Sequence, residues 1–371
     1  MTEYGPQPDI IMWAGVIGFL VGSALAYPVY RLLLALKSRQ TVSQYAPEGH
    51  QKKQGTPTMG GIIIVVGGLA GIVYAMIAMP SRIPNYDIDP LLAAAVLLLG
   101  FGFTGFTDDF LVPRLMKGKR GLGWKQKIVM QFVVAAVAAW IDHRNFDLVW
   151  ATVVFSILFF SNAYNFADGL DWLAGTLLLA LGLGLVAVAW YANMFEGVTI
   201  FLPIMAAAIP FLVLNKPPAK LFMGDVGSLP IGAVIGYLIA AVVFLDAAPH
   251  LYSWGYGEHM GQPTFGMPYD ALSRSGWGLA VLVLSLVMVA ELVPVPMQIA
   301  WVKLFKRRLF PYTPIHHAFE KAGWREGRVV ATFSACQLAL SLAAWGIAIW
   351  WVGRHDQTVK DIAIQHVRSL R

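Results

Sequence analysis

Asp108 and Asp109 stand side by side at the end of an apolar run. Adjacent carboxylates at a membrane edge repel unless a divalent cation or a proton is shared between them. A second polar group, SNAYNFADGLDWLAG, spaces Asn162, Asn165, Asp168 and Asp171 at three-residue intervals. A third, NKPPAKLFMGDVGS, carries Asn215, offers Phe222 as a flat face for a base, and brackets Asp225 between Gly224 and Gly227. A fourth, QKKQGTPTMGG, exposes Lys53 and Thr58 among glycines, and a fifth pairs His316 with His317 behind Pro314. Carboxylates, amides, lysines, an aromatic ring and two imidazoles suit a reaction at a phosphate with Mg2+, which prefers oxygen ligands. Lysine and Mg2+ would neutralise a diphosphate, and one aspartate would activate a nucleophile or attack directly.

Each motif also has a plainer reading. GTPTMGG can cradle phosphate through backbone N–H groups or form ordinary turns, and it lacks the order of a P-loop. In the basic run after the Asp pair, Lys117, Lys119 and Arg120 are read as an anchor to anionic lipid, with Lys125 and Lys127 reserved as phosphate contacts. The His pair can relay protons or contact phosphate; its spacing argues against zinc. Three-residue steps on a regular helix turn Asn162 and Asp171 to nearly opposite sides. For all four polar groups to serve one site the helix must break, and Gly169 is the expected place.

The elements that carry these residues are membrane spans. Of 371 residues 57% are hydrophobic and 13% charged, with mean hydropathy +0.62, against roughly 25% charged in soluble domains. Apolar runs at 10–36, 60–79, 91–107, 128–141, 148–161, 176–192, 199–214, 229–245, 277–302 and 331–352 make ten candidate spans. Two of them, 128–141 and 148–161, are short enough for a tilted or re-entrant pair. The first run is too long for a signal-peptide core and is read as a mature span. Pro294 and Pro296 interrupt the ninth, which also carries Glu291 and Gln298. Nineteen of the 27 Lys and Arg fall in one alternating set of loops, the set that also holds every motif above. The positive-inside rule makes that set cytoplasmic and puts both termini outside, with the basic C-terminal tail dissenting. The lone cysteine, Cys336, allows no internal disulfide. A site buried at the boundary among such spans calls for an amphiphilic acceptor. A secondary transporter would instead place its carboxylates near mid-membrane, in corresponding halves of a repeat.

GTPTMGG, the Asp108-Asp109 pair, NAYNFADGLD, FMGDVGS and PIHHAFE, in this order between these spans, resemble the polyprenyl-phosphate N-acetylhexosamine-1-phosphate transferases from about Lys53 to Arg328. The GTPTMGG and PIHHAFE forms match the muramoyl branch better than the UDP-GlcNAc branch. The resemblance implies a single catalytic domain over 1–371: an all-α polytopic membrane protein of about ten helices, commonly a homodimer, in the bacterial inner membrane. It implies transfer of phospho-MurNAc-pentapeptide from UDP-MurNAc-pentapeptide to undecaprenyl phosphate, giving lipid I and UMP, with Mg2+ required and no nucleic-acid partner. Residue by residue, it makes Asp225 the Mg2+ ligand and Asp108 the group that activates the lipid phosphate, with Asp109 in support. It stacks Phe222 on uracil and places Lys53, Asn215, Asp171 and Gln298 around the nucleoside. It puts Asn165 and Asp168 at the pyrophosphate, and His316 and His317 near the phosphates or sugar; Thr58, Lys125 and Asn162 complete the substrate contacts. Three positions depart from the pattern: Ala318 replaces a third His, Trp172 a usual Gly, and Val112-Pro113 a common Lys.

Overall fold

A computed structural model describes residues 7–36, 55–116, 121–244 and 269–369. The described chain is helical: α1 (Pro8–Ala35), α2 (Ile62–Arg82), α3 (Asp89–Leu115), α4 (Trp124–His143), α5 (Leu148–Ala167), α6 (Leu173–Tyr191), α7 (Phe195–Asn215), α8 (Asp225–Phe244), α9 (Tyr269–Leu292), α10 (Pro294–Phe305), α11 (Ile315–Lys321) and α12 (Glu326–Ser369). Among the described residues nine segments have the length and apolarity of a membrane span, α9 and α10 counting as one. Helix α4 has 20 residues, about 30 Å of helix, and so the length of a tenth.

The short apolar runs at 128–141 and 148–161 belong to two full-length helices of 20 residues each, α4 and α5. Their ends are polar, so hydropathy marks only their middles. Asp147 starts α5 by accepting the Trp150 N–H at 3.0 Å, a side-chain cap. The ninth apolar run breaks as its prolines require, at Val293 between α9 and α10.

Helix α8 is the axis of the bundle. Its span is 94% buried within the protein, against 22% for α12 at the periphery. It packs on α5 and α3. Gly232 and Gly236, one turn apart, let α8 touch the α5 backbone: a Cβ on either would lie 2.4 or 2.3 Å from the carbonyl oxygens of Phe160 and Ser156. Ser156 and Ser161 donate to the Gly236 and Leu229 carbonyls at 2.7 and 3.0 Å, adding polar glue to that contact. The first residue of α8 is Asp225, so the most constrained helix in the molecule also aims a carboxylate.

Candidate active site

Three elements meet at the start of α8. Helix α3 ends in a π turn, Thr107–Leu111, which carries Asp108 and Asp109; such turns recur at functional sites. The turn lies against α8 because position 105 has no side chain: a Cβ on Gly105 would sit 2.3 Å from the Asp225 carbonyl. Gly224, at φ +71°, turns the chain into α8, and a Cβ there would lie 2.6 Å from both Asp109 Oδ2 and Thr58 Oγ1. Oxygen atoms of Asp108, Asp109 and Asp225 consequently lie within 4.8 Å of one another.

The surrounding donors answer that charge. Lys127 of α4 reaches Asp108 Oδ2 at 3.2 Å and also bonds Asp225 Oδ2. Asn165 donates to Asp225 Oδ1 and to Ser228 Oγ, each at 2.8 Å. Backbone N–H groups of Leu122 and Val226 approach Asp108 and Asp109 at 2.5 and 3.4 Å. Asp168, in the turn after α5, adds another carboxyl: burial, then the charges of Asp225 and Asp109, push it well above the usual carboxylate range. Among the described residues Lys127 is the one cation bonded to this group. Oxygen donors in excess of cations, with the Lys127 ammonium bridging two carboxylates, fit a divalent cation.

The four polar groups of the third loop turn to different neighbours. Helix α5 ends at Ala167, two residues before the expected Gly169. Asn162 turns to α4, donating to Gln131 Oε1 at 3.0 Å; Asn165 faces Asp225. Asp171 is buried and joins two other elements: its carboxylate accepts from the Ala219 N–H and its own N–H donates to Glu326 Oε1, both at 2.9 Å. Asn215, also buried, accepts the Trp172 N–H and donates to the Leu221 carbonyl, each at 2.8 Å. Trp172 takes the left-handed conformation (φ +70°) that its position demands, and its Nε1–H donates to the Leu212 carbonyl at 2.8 Å.

Main-chain pairing joins the first and fourth loops. The Phe222 N–H donates to Pro57, and the Gly60 and Gly61 N–H groups donate to Phe222 and Met223, at 2.8 to 2.9 Å. Phe222 is half-buried with its backbone held on both sides, and Thr58 is buried beside Gly224. In the last loop, Gln298 Oε1 accepts the N–H groups of Leu309 and Phe310 at 3.0 and 2.9 Å. His317 Nδ1 lies 2.6 Å from Glu320, and His316 is wholly buried against Glu291. Lys125 is exposed, its ammonium 5.6 Å from the Trp124 ring. Lys53 lies outside the described residues.

The residues that sequence reasoning missed or left unranked are those that hold others. Lys127 was reserved with Lys125 as a phosphate contact, with nothing to rank one above the other. Ser228, Gln131 and Glu326 carry no motif of their own. For Lys127 a signal existed: Lys127, Gln131 and Ala135 share one face of α4 at four-residue steps, and both Gln131 and Ala135 are buried.

The sequence profile described as Glycosyl transferase family 4 matches residues 91–243, and phospho-N-acetylmuramoyl-pentapeptide-transferase signature 1 matches residues 53–65. The chain is 31% identical to the phospho-N-acetylmuramoyl-pentapeptide-transferase of Bacillus subtilis (strain 168) over 360 residues, 92% of this chain and 99% of that one. It is 32% identical to those of Bacillus pumilus (strain SAFR-032) and Geobacillus thermodenitrificans (strain NG80-2), with the same coverage.

Proposed function

The chain belongs to the phospho-N-acetylmuramoyl-pentapeptide-transferase family, and from that premise we propose that it transfers phospho-MurNAc-pentapeptide from UDP-MurNAc-pentapeptide to undecaprenyl phosphate. The observation that carries this reading is the convergence of Asp108, Asp109 and Asp225 within 4.8 Å at the first turn of α8. An oxygen of the lipid phosphate forms a bond to the sugar-bearing phosphorus. The bond from that phosphorus to the oxygen shared with the uridine-bearing phosphorus breaks, UMP leaves with that oxygen, and lipid I remains. Asp108 takes the proton of the attacking phosphate, with Asp109 beside it. Asp225 would hold Mg2+, with Asp108 and Asp109 beside it, and the ion would supply charge neutralisation for the diphosphate.

Asn165 holds Asp225 in place, and Asp168 lines the pyrophosphate region. Phe222 takes the uracil; Asp171, Asn215 and Gln298 shape the nucleoside pocket through the backbone bonds that fix its loops. Thr58 backs the phosphate site, His316 and His317 close it from the last loop, and Lys53, Lys125 and Asn162 complete the contacts. The concentration of Lys and Arg in these loops supports a site on the cytoplasmic face of the bacterial inner membrane, with both termini periplasmic. One continuous hydrophobic core supports a single catalytic domain, and the resemblance supports a homodimer.

Purified protein in detergent is expected to form a lipid-linked product from UDP-MurNAc-pentapeptide, not from UDP-GlcNAc, and only with Mg2+ present. No product from either donor would overturn the reading. Stoichiometric UMP release without lipid acceptor would replace direct attack by a phospho-aspartyl route.

A further inference from the structure

Glu291 and His316 form a pair with no exposed surface at all. Glu291 lies at the end of α9, just before the proline break, and His316 lies on α11. Glu291 Oε2 is 2.8 Å from His316 Nδ1. A carboxylate in that position accepts from Nδ1–H and so fixes the ring's orientation and leaves Nε2 on the far side. His316 Nε2 and Glu291 Oε1 have no hydrogen-bond partner among the described residues, although both are completely buried. Buried polar atoms normally find partners, so the two orphaned atoms of this pair call for an explanation.

The direction of Nε2 is informative. A Cβ placed on Gly169 would lie 2.3 Å from it, so the His316 ring rests against the one residue of the Asp168–Asp171 turn that leaves it room. Gly169 does not take a left-handed conformation, so the glycine is explained by this close approach. Asp168, its neighbour, lies close enough to Asp225 and Asp109 to feel their charges. Helix α9, His316 and the turn that borders the carboxylate site are therefore stacked in that order.

We infer that Glu291 is a positioning residue for phosphoryl transfer: it orients the His316 imidazole against Gly169 and through it sets the turn bearing Asp168. This inference rests on the transferase reading above. Glu291 touches no reacting atom; it acts through His316. Glutamine at 291 keeps an acceptor for Nδ1–H, and leucine or methionine removes it while filling similar space.

The test is a set of variants assayed in detergent for lipid-linked product. Glu291→Gln is expected to stay within about threefold of wild type. Glu291→Leu is expected to lose about tenfold or more in kcat, the scale of losing an orienting partner, with KM for the nucleotide sugar unchanged. In a His316→Asn background, Glu291→Leu is expected to cost nothing further, because the two residues act as one unit. Glu291→Met is the second apolar variant, used if the leucine does not assemble. Wild-type kcat in the apolar variant, or a double variant showing the product of both single losses, overturns the inference. Lack of any product from the wild-type protein overturns the transferase reading instead.

Discussion

Removing the Lys127 ammonium leaves Asp108, Asp109 and Asp225 facing one another with no cation of the described residues bonded among them. Its side chain is 19% exposed, so the loss of two charge-assisted bonds is expected to cost Lys127→Met about 2 kcal/mol. Because a divalent cation would occupy the same electrostatic place, Mg2+ is expected to raise the melting temperature of Lys127→Met more than that of wild type. Equal shifts would separate the lysine from the metal site. Trp172 poses the opposite problem, a large residue in a conformation that costs about 1 kcal/mol. Its indole bond to Leu212 and its packing on the core offset that cost. Trp172→Ala keeps the strain and loses both, about 3 kcal/mol; Trp172→Gly loses the same contacts and relieves the strain. Thermal melting is therefore expected to rank glycine above alanine, the reverse of the usual helix order. The aspartates, asparagines and histidines of these loops were legible as chemistry from their types alone. Whether each bonds a neighbour or faces the site was not, since Asp168 and Asp171 share one turn and have different surroundings.

Helix contact decides whether the site exists. The α8 backbone lies on α5 through Gly232 and Gly236, and α3 reaches Asp225 only past Gly105. Gly236→Ala forces a Cβ to within 2.3 Å of the Ser156 carbonyl and is expected to destabilise by about 1–3 kcal/mol. Gly346→Ala, on α12 with nothing within 4 Å, is the control and should melt at or slightly above wild type. Similar melting of the two variants would contradict the close approach. The hydropathy pattern located these helices and misjudged the ends of several, α3, α4 and α5 among them. Lys127, Asn162 and Asn165 interrupt the apolar signal and yet belong to regular helix, because their polar atoms turn inward to partners on other helices. A one-dimensional scan reads such residues as loop.

The whole molecule is a membrane bundle with the Asp108, Asp109 and Asp225 carboxylates gathered at the start of α8. In a Cys336→Ser background, a membrane-impermeant thiol reagent is expected to label Asn85→Cys on intact cells. Lys216→Cys should react only after the membrane is opened; the reverse pattern would invert the assigned orientation. Composition alone settled that the chain lives in a bilayer, since burying this much apolar surface in water would need far more polar cover than 13% charged residues provide. The order of the motifs along the chain settled the family and the kind of reaction, because those depend on residue types and spacing. The tertiary structure alone decided which of the polar side chains face one another. Asp108 and Asp225 are 117 residues apart, and their meeting depends on the absence of a side chain at Gly105 and on an ammonium from a third helix. Such contacts are set by packing in three dimensions, which leaves no periodicity in the sequence to read.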